Sequence, residues 1–316
     1  HQLSFDEAIR KQLLSDYQFV AIAVTKSEYA DYARKGRLFQ ISKKCHTDAR
    51  MLASQIGLLK AIKKYRLRKL ITFHSRVLRA RAFADENNPA SLKGINSALP
   101  QAIVPNDKLW TGHISGEMPA ATRNVILGKL KEINVDHSNF CGLISNCACL
   151  NEGIDVPTLD GIAFIDPRSS MVDIIQAVGR AIRKAENKKT GTIVVPIFIE
   201  EKEDPQKIIS GSVYQPIWRV INALRAHDKA LADEIDSIRL NILQGSRRQI
   251  KLPAKIKLDL PAHVSLTDFE KAFNAILVER TSISWDAMIK MLQDYISRYG
   301  TVKVPLDASG KWKMLG

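Results

Sequence analysis

The sequence has 316 residues, 45% hydrophobic and 25% charged, a composition typical of a folded globular protein rather than of a disordered chain. Its 47 Lys and Arg outnumber its 33 Asp and Glu by 14. This excess favours a polyanionic partner, nucleic acid first, with mere solubility as the alternative role of the charge. No run of about 18 apolar residues could span a membrane. The four cysteines form no Cys-x-x-Cys pair and have no His at metal-ligand spacing, which predicts buried thiols in a reducing cytoplasm and no metal site.

Strand-like and helix-like segments alternate along the first two thirds of the sequence. Short apolar runs predict strands at residues 19–24, 70–73, 109–114, 140–145, 161–165 and 192–199. Apolar residues at helical spacing predict helices at 48–65 and at about 170–184, and a further helix is expected after Pro119, which is well placed at its first turn. This alternation predicts an α/β fold with a mostly parallel sheet that helices cover on both faces. Residues 87–101, which include two prolines and several small polar residues, predict a loop.

The pattern changes after Ile217. Apolar residues recur at helical spacing as far as Ile242, which predicts one long amphipathic helix that serves packing rather than chemistry. The next segment alternates lysines with apolar residues and contains two prolines, so it is predicted to be a linker; two helices are expected beyond it, at about 267–278 and 284–299. The predicted organisation is a domain at 1–250, a linker at 251–264 and a small helical C-terminal unit at 265–316.

The residues that indicate chemistry lie on the predicted helix at 170–184. Gln176 and Arg180 are four residues apart and Arg183 follows three later, so the three side chains should share one helical face. The opposing apolar stripe consists of Val172, Ile175, Val178 and Ile182. Two neighbouring guanidinium groups repel each other unless an anion such as phosphate lies between them. The alternative interpretation is an ordinary solvated basic face.

Gly179 strengthens the first interpretation, because glycine in a helix interior costs up to about 1 kcal/mol relative to alanine. The close approach of a ligand or of another backbone would account for that cost. Glu-Gly-Ile-Asp-Val-Pro at 152–157 follows a predicted strand, and Pro-Arg-Ser-Ser at 167–170 leads into the helix. In this order the segments resemble motifs V and VI of the second RecA-like domain of superfamily 2 helicases, and residues 70–76 resemble motif IV.

This resemblance covers about residues 1–245, and the form of motif V is closer to the restriction-translocase and excision-repair branch than to DEAD-box RNA helicases. It implies a RecA-like sheet flanked by helices. It also implies that Arg180 and Arg183 act as arginine fingers on the β- and γ-phosphates of ATP. The residues implied to lie at the nucleotide are Gln176, Gly179, Gly153 and Asp155. For Asp155, which would lie near the ribose, the alternative is a plain strand-end turn.

The resemblance also implies a set of contacts to the nucleic-acid backbone. The residues concerned are Ser75, Arg76, Ser145 and Asn146. Hydroxyl, amide and guanidinium donors suit sequence-independent phosphate contacts. A plain helix cap is the alternative role for Ser75. The branch of the family favours DNA over RNA as the partner.

Two elements of an ATP site are missing from the sequence. Neither Gly128-Lys129 nor Gly310-Lys311 belongs to a Gly-x-x-x-x-Gly-Lys-Ser/Thr phosphate loop, and no apolar strand leads into an acidic magnesium motif. The resemblance therefore implies that an N-terminal RecA-like domain before His1 holds most of the ATP and Mg²⁺ contacts. The full protein is expected to be an ATP-dependent helicase or translocase, and this chain alone is expected to be catalytically silent.

Two further interpretations concern the tail and the class of protein. The tail around Trp285 and Trp312 resembles a helicase-associated repeat over a short stretch, and these aromatics would either stack on bases or form a small core. A non-catalytic RecA-like module for nucleic-acid binding or protein interaction remains the alternative function, because fold alone does not determine function. A fused nuclease is not indicated, since no paired carboxylates with a lysine are apparent.

Overall fold

A seven-stranded sheet forms the centre of the structure, which is a computed structural model. In chain order its strands are β1 (Asp16–Thr25), β2 (Lys69–His74), β3 (Lys108–Ser115), β4 (Phe140–Cys147), β5 (Gly161–Asp166), β6 (Thr190–Ile199) and β7 (Ile256–Asp259). Their spatial order is β3-β4-β2-β5-β6-β1-β7, and every neighbouring pair runs parallel. The predicted α/β fold with a RecA-like parallel sheet is confirmed.

The structure describes residues 3–35, 49–105, 108–133, 140–147, 159–166, 171–185, 188, 190–199, 209–211, 214–244, 250–261, 264–281 and 285–304. Within these residues the helices are α1 (Phe5–Arg10), α2 (Lys26–Lys35), α3 (Ala49–Tyr65), α4 (Val77–Ala84), α5 (Leu92–Ala98), α6 (Ala120–Glu132), α7 (Met171–Ala181), α8 (Gln215–His227), α9 (Lys229–Leu243), α10 (Leu266–Arg280) and α11 (Trp285–Tyr299). None of these described helices is long and apolar enough to cross a membrane.

Helices cover both faces of the sheet because successive side chains of a strand point to opposite sides. In β1, Phe19 and Ala21 belong to one hydrophobic core, which α7, α8, α9 and α10 complete. Val20 and Ile22 point the other way, into a second core that α3 and α5 complete. The central strands are therefore apolar over much of their length, so they can be recognised in the sequence as apolar runs.

A short helix, α5, occupies the segment at 87–101 that was predicted as a loop. Its N-cap is Ser91, whose Oγ accepts a hydrogen bond from Gly94 N at 3.2 Å, and its apolar side is buried in the second core. The loop prediction was wrong because Pro89 and Pro100 lie on either side of the helix and do not interrupt it.

The long helix predicted after Ile217 is two helices, α8 and α9, which meet at Asp228. The fully buried carboxylate of Asp228 accepts hydrogen bonds from Leu231 N at 3.0 Å, Tyr17 Oη at 2.7 Å and Lys255 Nζ at 2.7 Å. The apolar repeat continues across this junction, so periodicity alone does not reveal the break. The partners that hold Asp228 lie near the start of β1 and just before β7, far away in the sequence.

The segment at 251–264 that was predicted as a linker contains the edge strand β7, which pairs with β1. Beyond it, α10 packs its aromatic side chains into the first core, where the ring centroids of Trp218 and Phe273 are 4.9 Å apart. The division into a domain at 1–250 and a helical unit at 265–316 stays a prediction. Trp312 lies outside the described residues.

Candidate functional site

Helix α7 runs back along the sheet from the carboxyl end of β5 to the amino end of β6. Its buried apolar residues are Ile174, Ala177, Val178 and Ala181. The predicted apolar stripe was partly wrong, because Val172 is 64% exposed and Ile175 is only half-buried. Alanines on the buried face allow a close approach to the sheet: a Cβ on Gly191 would lie 2.3 Å from Ala181 O. The side of α7 that packs closely against β6 is therefore its buried side.

The residues expected at the nucleotide lie along α7 and just beyond its end. Gln176 is exposed and Gly179 is half-buried. Arg180 is only 9% exposed, whereas Arg183 is exposed. Because α7 ends at Ala181, the predicted common helical face extends only to Gln176 and Arg180, and the prediction that Arg183 shares it was wrong.

An ordered turn after α7 places Arg183 beside the start of β1. Arg183 forms an antiparallel bridge with Leu14, and Ser15 N donates a hydrogen bond to Ile182 O at 2.8 Å. Lys188 Nζ donates to the carbonyl oxygen of Arg183 at 3.0 Å. Such bonds satisfy carbonyl groups that have no partner inside a helix. Arg183 is therefore held at the amino edge of the sheet with its side chain exposed.

Asp160 joins the strands at this amino edge. Its carboxylate accepts hydrogen bonds from Arg68 N at 2.6 Å and from Lys69 N at 2.9 Å, where β2 begins. Burial raises the pKa of Asp160 to about 6, against the lowering effects of these two bonds and of Lys188. Burial also lowers the pKa of Lys188 to about 8, although Asp160 acts in the opposite direction. Asp160 thus serves to hold β5 against β2.

The residues expected to contact nucleic acid come together at the carboxyl ends of β2 and β4. Phe73 pairs with Asn146, so Ser75 and Arg76 lie beside the end of β4. Arg76 is exposed and Ser75 is half-buried, whereas Ser145 and Asn146 are fully buried. The Ser145 hydroxyl donates to a backbone carbonyl of α4. The side chains at 145 and 146 therefore serve the interior, and their contact with nucleic acid stays a prediction.

Asp166, the last residue of β5, is the centre of this carboxyl edge and was missed by the sequence interpretation. Its Oδ2 accepts hydrogen bonds from Ser75 Oγ and Arg79 Nη1, each at 2.7 Å, and its Oδ1 accepts one from Ser75 N at 3.2 Å. His74 Nδ1 lies 3.4 Å from Oδ1. Arg76 occupies the N-cap position of α4, so the alternative role of Ser75 as a helix cap was wrong.

These partners determine the ionisation of Asp166. Burial by itself raises its pKa, but the nearby His74 and the hydrogen bonds from Arg79 and Ser75 outweigh burial and hold the pKa at about 2. Burial lowers the pKa of His74, although Asp166 acts in the opposite direction. One sequence signal could have found Asp166: it is an acid at the end of an apolar strand, and ligands of parallel sheets bind at the carboxyl ends of strands.

Gly153 and Asp155 lie outside the described residues, as does the segment 167–170 between β5 and α7. Within the described part of the chain, no group of three or more His, Cys, Asp or Glu side chains is arranged to hold a metal ion.

Comparisons with known proteins agree with this geometry. Residues 63–185, from the end of α3 to the turn after α7, match the family described as the helicase conserved C-terminal domain. The structure of the ATP-dependent Type ISP restriction-modification enzyme LlaBIII bound to DNA is similar to this chain, with a TM-score of 0.72 and 25% identity, over 94% of this chain and 19% of that one.

Curated relatives match over a shorter stretch. A probable helicase of African swine fever virus, strain Badajoz 1971 Vero-adapted, is 38% identical over 67 residues, which are 20% of this chain and 8% of the viral protein. The corresponding protein of isolate Pig/Kenya/KEN-50/1950 is 34% identical over the same length. The chain thus aligns with about a fifth of the restriction enzyme and with a much smaller share of the viral helicases.

The parallel sheet, the helix α7 and the family match together define a helicase C-terminal motor domain of the RecA-like type. Residues 63–185 thus match a helicase C-terminal domain, and the fold of the chain is similar to that of part of the restriction-modification enzyme LlaBIII.

Proposed function

We propose that this chain is the second motor domain of an ATP-dependent nucleic-acid translocase or helicase. In the complete protein an N-terminal RecA-like domain would supply the phosphate loop and most contacts to ATP and Mg²⁺, and this chain would close the nucleotide site from the other side. The family match over 63–185 supports this role. DNA is the proposed substrate, because the structurally similar restriction enzyme is bound to DNA.

Gly179 is the observation that carries the proposal. A Cβ at this position would meet no described atom within 4 Å, so packing among the described residues does not require glycine there. Glycine nevertheless costs roughly 1 kcal/mol relative to alanine in a helix interior. The approach of a nucleotide, or of the N-terminal domain that holds it, would account for a glycine between Gln176 and the two arginines.

The two arginines differ in how they could act. Arg183 is exposed beyond the end of α7, and we assign it direct contact with the β- or γ-phosphate. Arg180, which is 9% exposed, would add positive charge beside Arg183. Gln176 would contact the nucleotide or couple it to the nucleic-acid strand. A guanidinium group accelerates phosphoryl transfer because it stabilises charge that develops on the transferred group.

At the carboxyl edge we propose that Ser75 and Arg76 contact the phosphate backbone of the nucleic acid. Arg76 is exposed at the start of α4, and Ser75 precedes it. Such contacts position a protein on nucleic acid without reading its sequence, and they weaken as salt concentration rises. Ser145 and Asn146, which are buried, would contribute by supporting the shape of this carboxyl edge.

The decisive experiment is steady-state ATP hydrolysis by the complete protein with and without DNA. Arg183→Ala should lower kcat by about 10³-fold and change nucleotide affinity far less, because an arginine finger acts mainly on the transition state. Arg180→Ala should act in the same direction. The matched control is Lys184→Ala, which removes the neighbouring exposed cation and should leave kcat within about twofold of the wild type. Wild-type rates in both arginine variants would refute the assignment.

A second experiment measures ATP binding and hydrolysis by this chain alone. Without a phosphate loop it should bind ATP weakly and should not hydrolyse it, and steady hydrolysis by the chain alone would contradict the proposal. Stimulation of the complete protein by duplex DNA, single-stranded DNA and RNA, compared at one salt concentration, tests the choice of substrate. Stronger stimulation by RNA would refute the assignment of DNA.

The burial of Arg180 favours a second candidate, a non-catalytic RecA-like module that binds nucleic acid or protein. A guanidinium that is 9% exposed suits a structural role at least as well as a catalytic one. This candidate predicts a complete protein that binds DNA with salt-dependent affinity but hydrolyses no ATP. The experiment above separates the two candidates directly.

A further inference from the structure

We infer that Asp166 is a positioning residue that couples nucleic-acid binding at the carboxyl edge of the sheet to the arginine-bearing helix α7. The inference rests on the proposed function, and it adds a residue to which that function gives no role. The observation behind it is one carboxylate that accepts three hydrogen bonds from Ser75 and Arg79 while it ends the strand that leads to α7.

On the nucleic-acid side, the partners of Asp166 flank Arg76 in the sequence. Ser75 precedes Arg76, and Arg79 lies one helical turn later on α4. The Arg79 side chain is 46% exposed and that of Asp166 is 20% exposed, so an incoming strand can reach this ion pair. Hydroxyl and guanidinium donors suit a phosphate as well as a carboxylate. A phosphate bound at Arg76 would therefore compete with Asp166 for the same two donors.

On the nucleotide side, Asp166 ends a strand that packs against α7. Phe164 of β5 belongs to the same core as Ile174 and Val178 of α7. One layer below the carboxylate, the rings of Phe73 and Phe164 are 5.4 Å apart, so side chains of β2 and β5 pack against each other there. An α-helix of 11 residues is about 17 Å long. A shift at the end of β5 therefore reaches the turn that holds Arg183.

Asp160 shows what a purely structural aspartate on this strand looks like. Its partners are backbone N–H groups of Arg68 and Lys69, which the sheet holds in place. Two of the three hydrogen bonds to Asp166 come instead from side chains, the Ser75 hydroxyl and the Arg79 guanidinium, which can exchange one anionic partner for another without breaking the sheet. On this difference, Asp166 has the coupling role, and Asp160 attaches β5 to β2.

The test measures ATP hydrolysis by the complete protein as the ratio of the DNA-stimulated rate to the basal rate. In Asp166→Asn and in Arg79→Ala this ratio should fall about tenfold, a typical size for coupling between two sites. In Asp166→Asn, which leaves both donors in place for the phosphate, the DNA concentration for half-maximal stimulation should not rise. The matched control is Arg81→Ala, which removes an exposed cation of the same helix that does not contact Asp166 and should keep the wild-type ratio.

The ratio distinguishes coupling from a loss of folded protein, because partial unfolding lowers both rates equally and leaves their ratio unchanged. If Asp166→Asn does not fold, Arg79→Ala carries the test, since Arg79 lies at the surface. In the double variant the loss should be no larger than in either single variant, because both substitutions break one contact.

A wild-type ratio in folded Asp166→Asn or in Arg79→Ala overturns the inference. An equal loss in Arg81→Ala also overturns it, since the effect would then be one of general charge. Both outcomes leave the proposed function intact. A wild-type protein whose hydrolysis of ATP ignores every nucleic acid tested would instead refute the proposed function, and this inference with it.

Discussion

The two ends of strand β5 each carry a buried or half-buried aspartate, and the two carboxylates lie in opposite environments. At the amino end Asp160 is bound by backbone N–H groups of Arg68 and Lys69, and burial raises its pKa to about 6. At the carboxyl end, burial also opposes ionisation of Asp166, but side-chain donors outweigh it and hold the pKa at about 2. Two aspartates at opposite ends of β5, Asp160 and Asp166, thus differ both in their hydrogen-bond donors and in the direction of their pKa shifts.

The difference separates a carboxylate that attaches one strand to another from a carboxylate whose partners are mainly side chains. Backbone donors at the amino edge are fixed by the sheet, so Asp160 can only hold strands together. Side-chain donors at the carboxyl edge can exchange partners, and this is the edge where parallel α/β sheets bind ligands. Helix α7 joins the two edges, since it starts after Asp166 and its end lies beside Asp160 and Lys188.

The largest expected effect that tests this contrast is the pH dependence of stability at Asp160. Its folded pKa of about 6 lies above the ordinary 3.8, so the folded chain binds the extra proton between these values and stability falls as pH rises from about 4 to about 6. The loss should be about 3 kcal/mol, at roughly 1.4 kcal/mol per pKa unit. Urea denaturation of wild type and Asp160→Asn from pH 4 to 7 measures it. Asp85→Asn, which removes an exposed carboxylate, is the control, and a difference that does not change with pH would contradict the prediction.

Asp166 should show a smaller effect of opposite sign. Its folded pKa of about 2 lies below 3.8, so its stabilising contribution is complete above about pH 4 and is lost as pH falls toward 2. The contribution should be about 2 kcal/mol. Denaturation of Asp166→Asn against wild type over this acid range measures it. If both aspartates gave pH dependences of the same sign, the contrast between the two ends of β5 would be wrong.

The smallest expected effect concerns the helix that joins the two edges. Gly179→Ala should raise the free energy of unfolding by up to about 1 kcal/mol, because alanine favours the helix and the added Cβ meets no described atom within 4 Å. The same substitution should lower ATP hydrolysis by the complete protein, since the space is reserved for a partner. Thermal unfolding of the chain and kcat of the complete protein are the two measurements. A gain in stability with an unchanged kcat would show that the glycine serves no partner.

Much of the fold was predictable because its signals are local. Strands β1, β2, β4, β5 and β6 are buried on both faces, so each appears as an apolar run, and α3, α6, α10 and α11 follow helical spacing. The errors occurred where a distant partner decides local structure. Asp228 breaks the predicted long helix because Tyr17 and Lys255 bind its carboxylate. Strand β7 is short and forms only because β1 offers an open edge.

The site was predictable to a similar degree and for the same reason. The positions of Gln176, Arg180 and Arg183 follow from a spacing that the sequence displays. Their exposure does not, because the folded chain buries Arg180, while the helix ends at Ala181 and Arg183 bridges to Leu14 beyond it. Asp166 was missed because its partners, Ser75 and Arg79, are about 90 residues away in the sequence and meet it only through the order of strands in the sheet.

The sequence by itself determined the class of this protein: an α/β domain with a parallel sheet and an ordered set of helicase motifs, since hydrophobic periodicity and motif spacing are properties of neighbouring residues. The tertiary structure alone decided which arginine is exposed, where α8 ends, and that Asp160 binds backbone N–H groups where β2 begins while Asp166 binds mainly side chains. These features depend on which strands lie side by side, and the order of the strands in the sheet differs from their order in the chain.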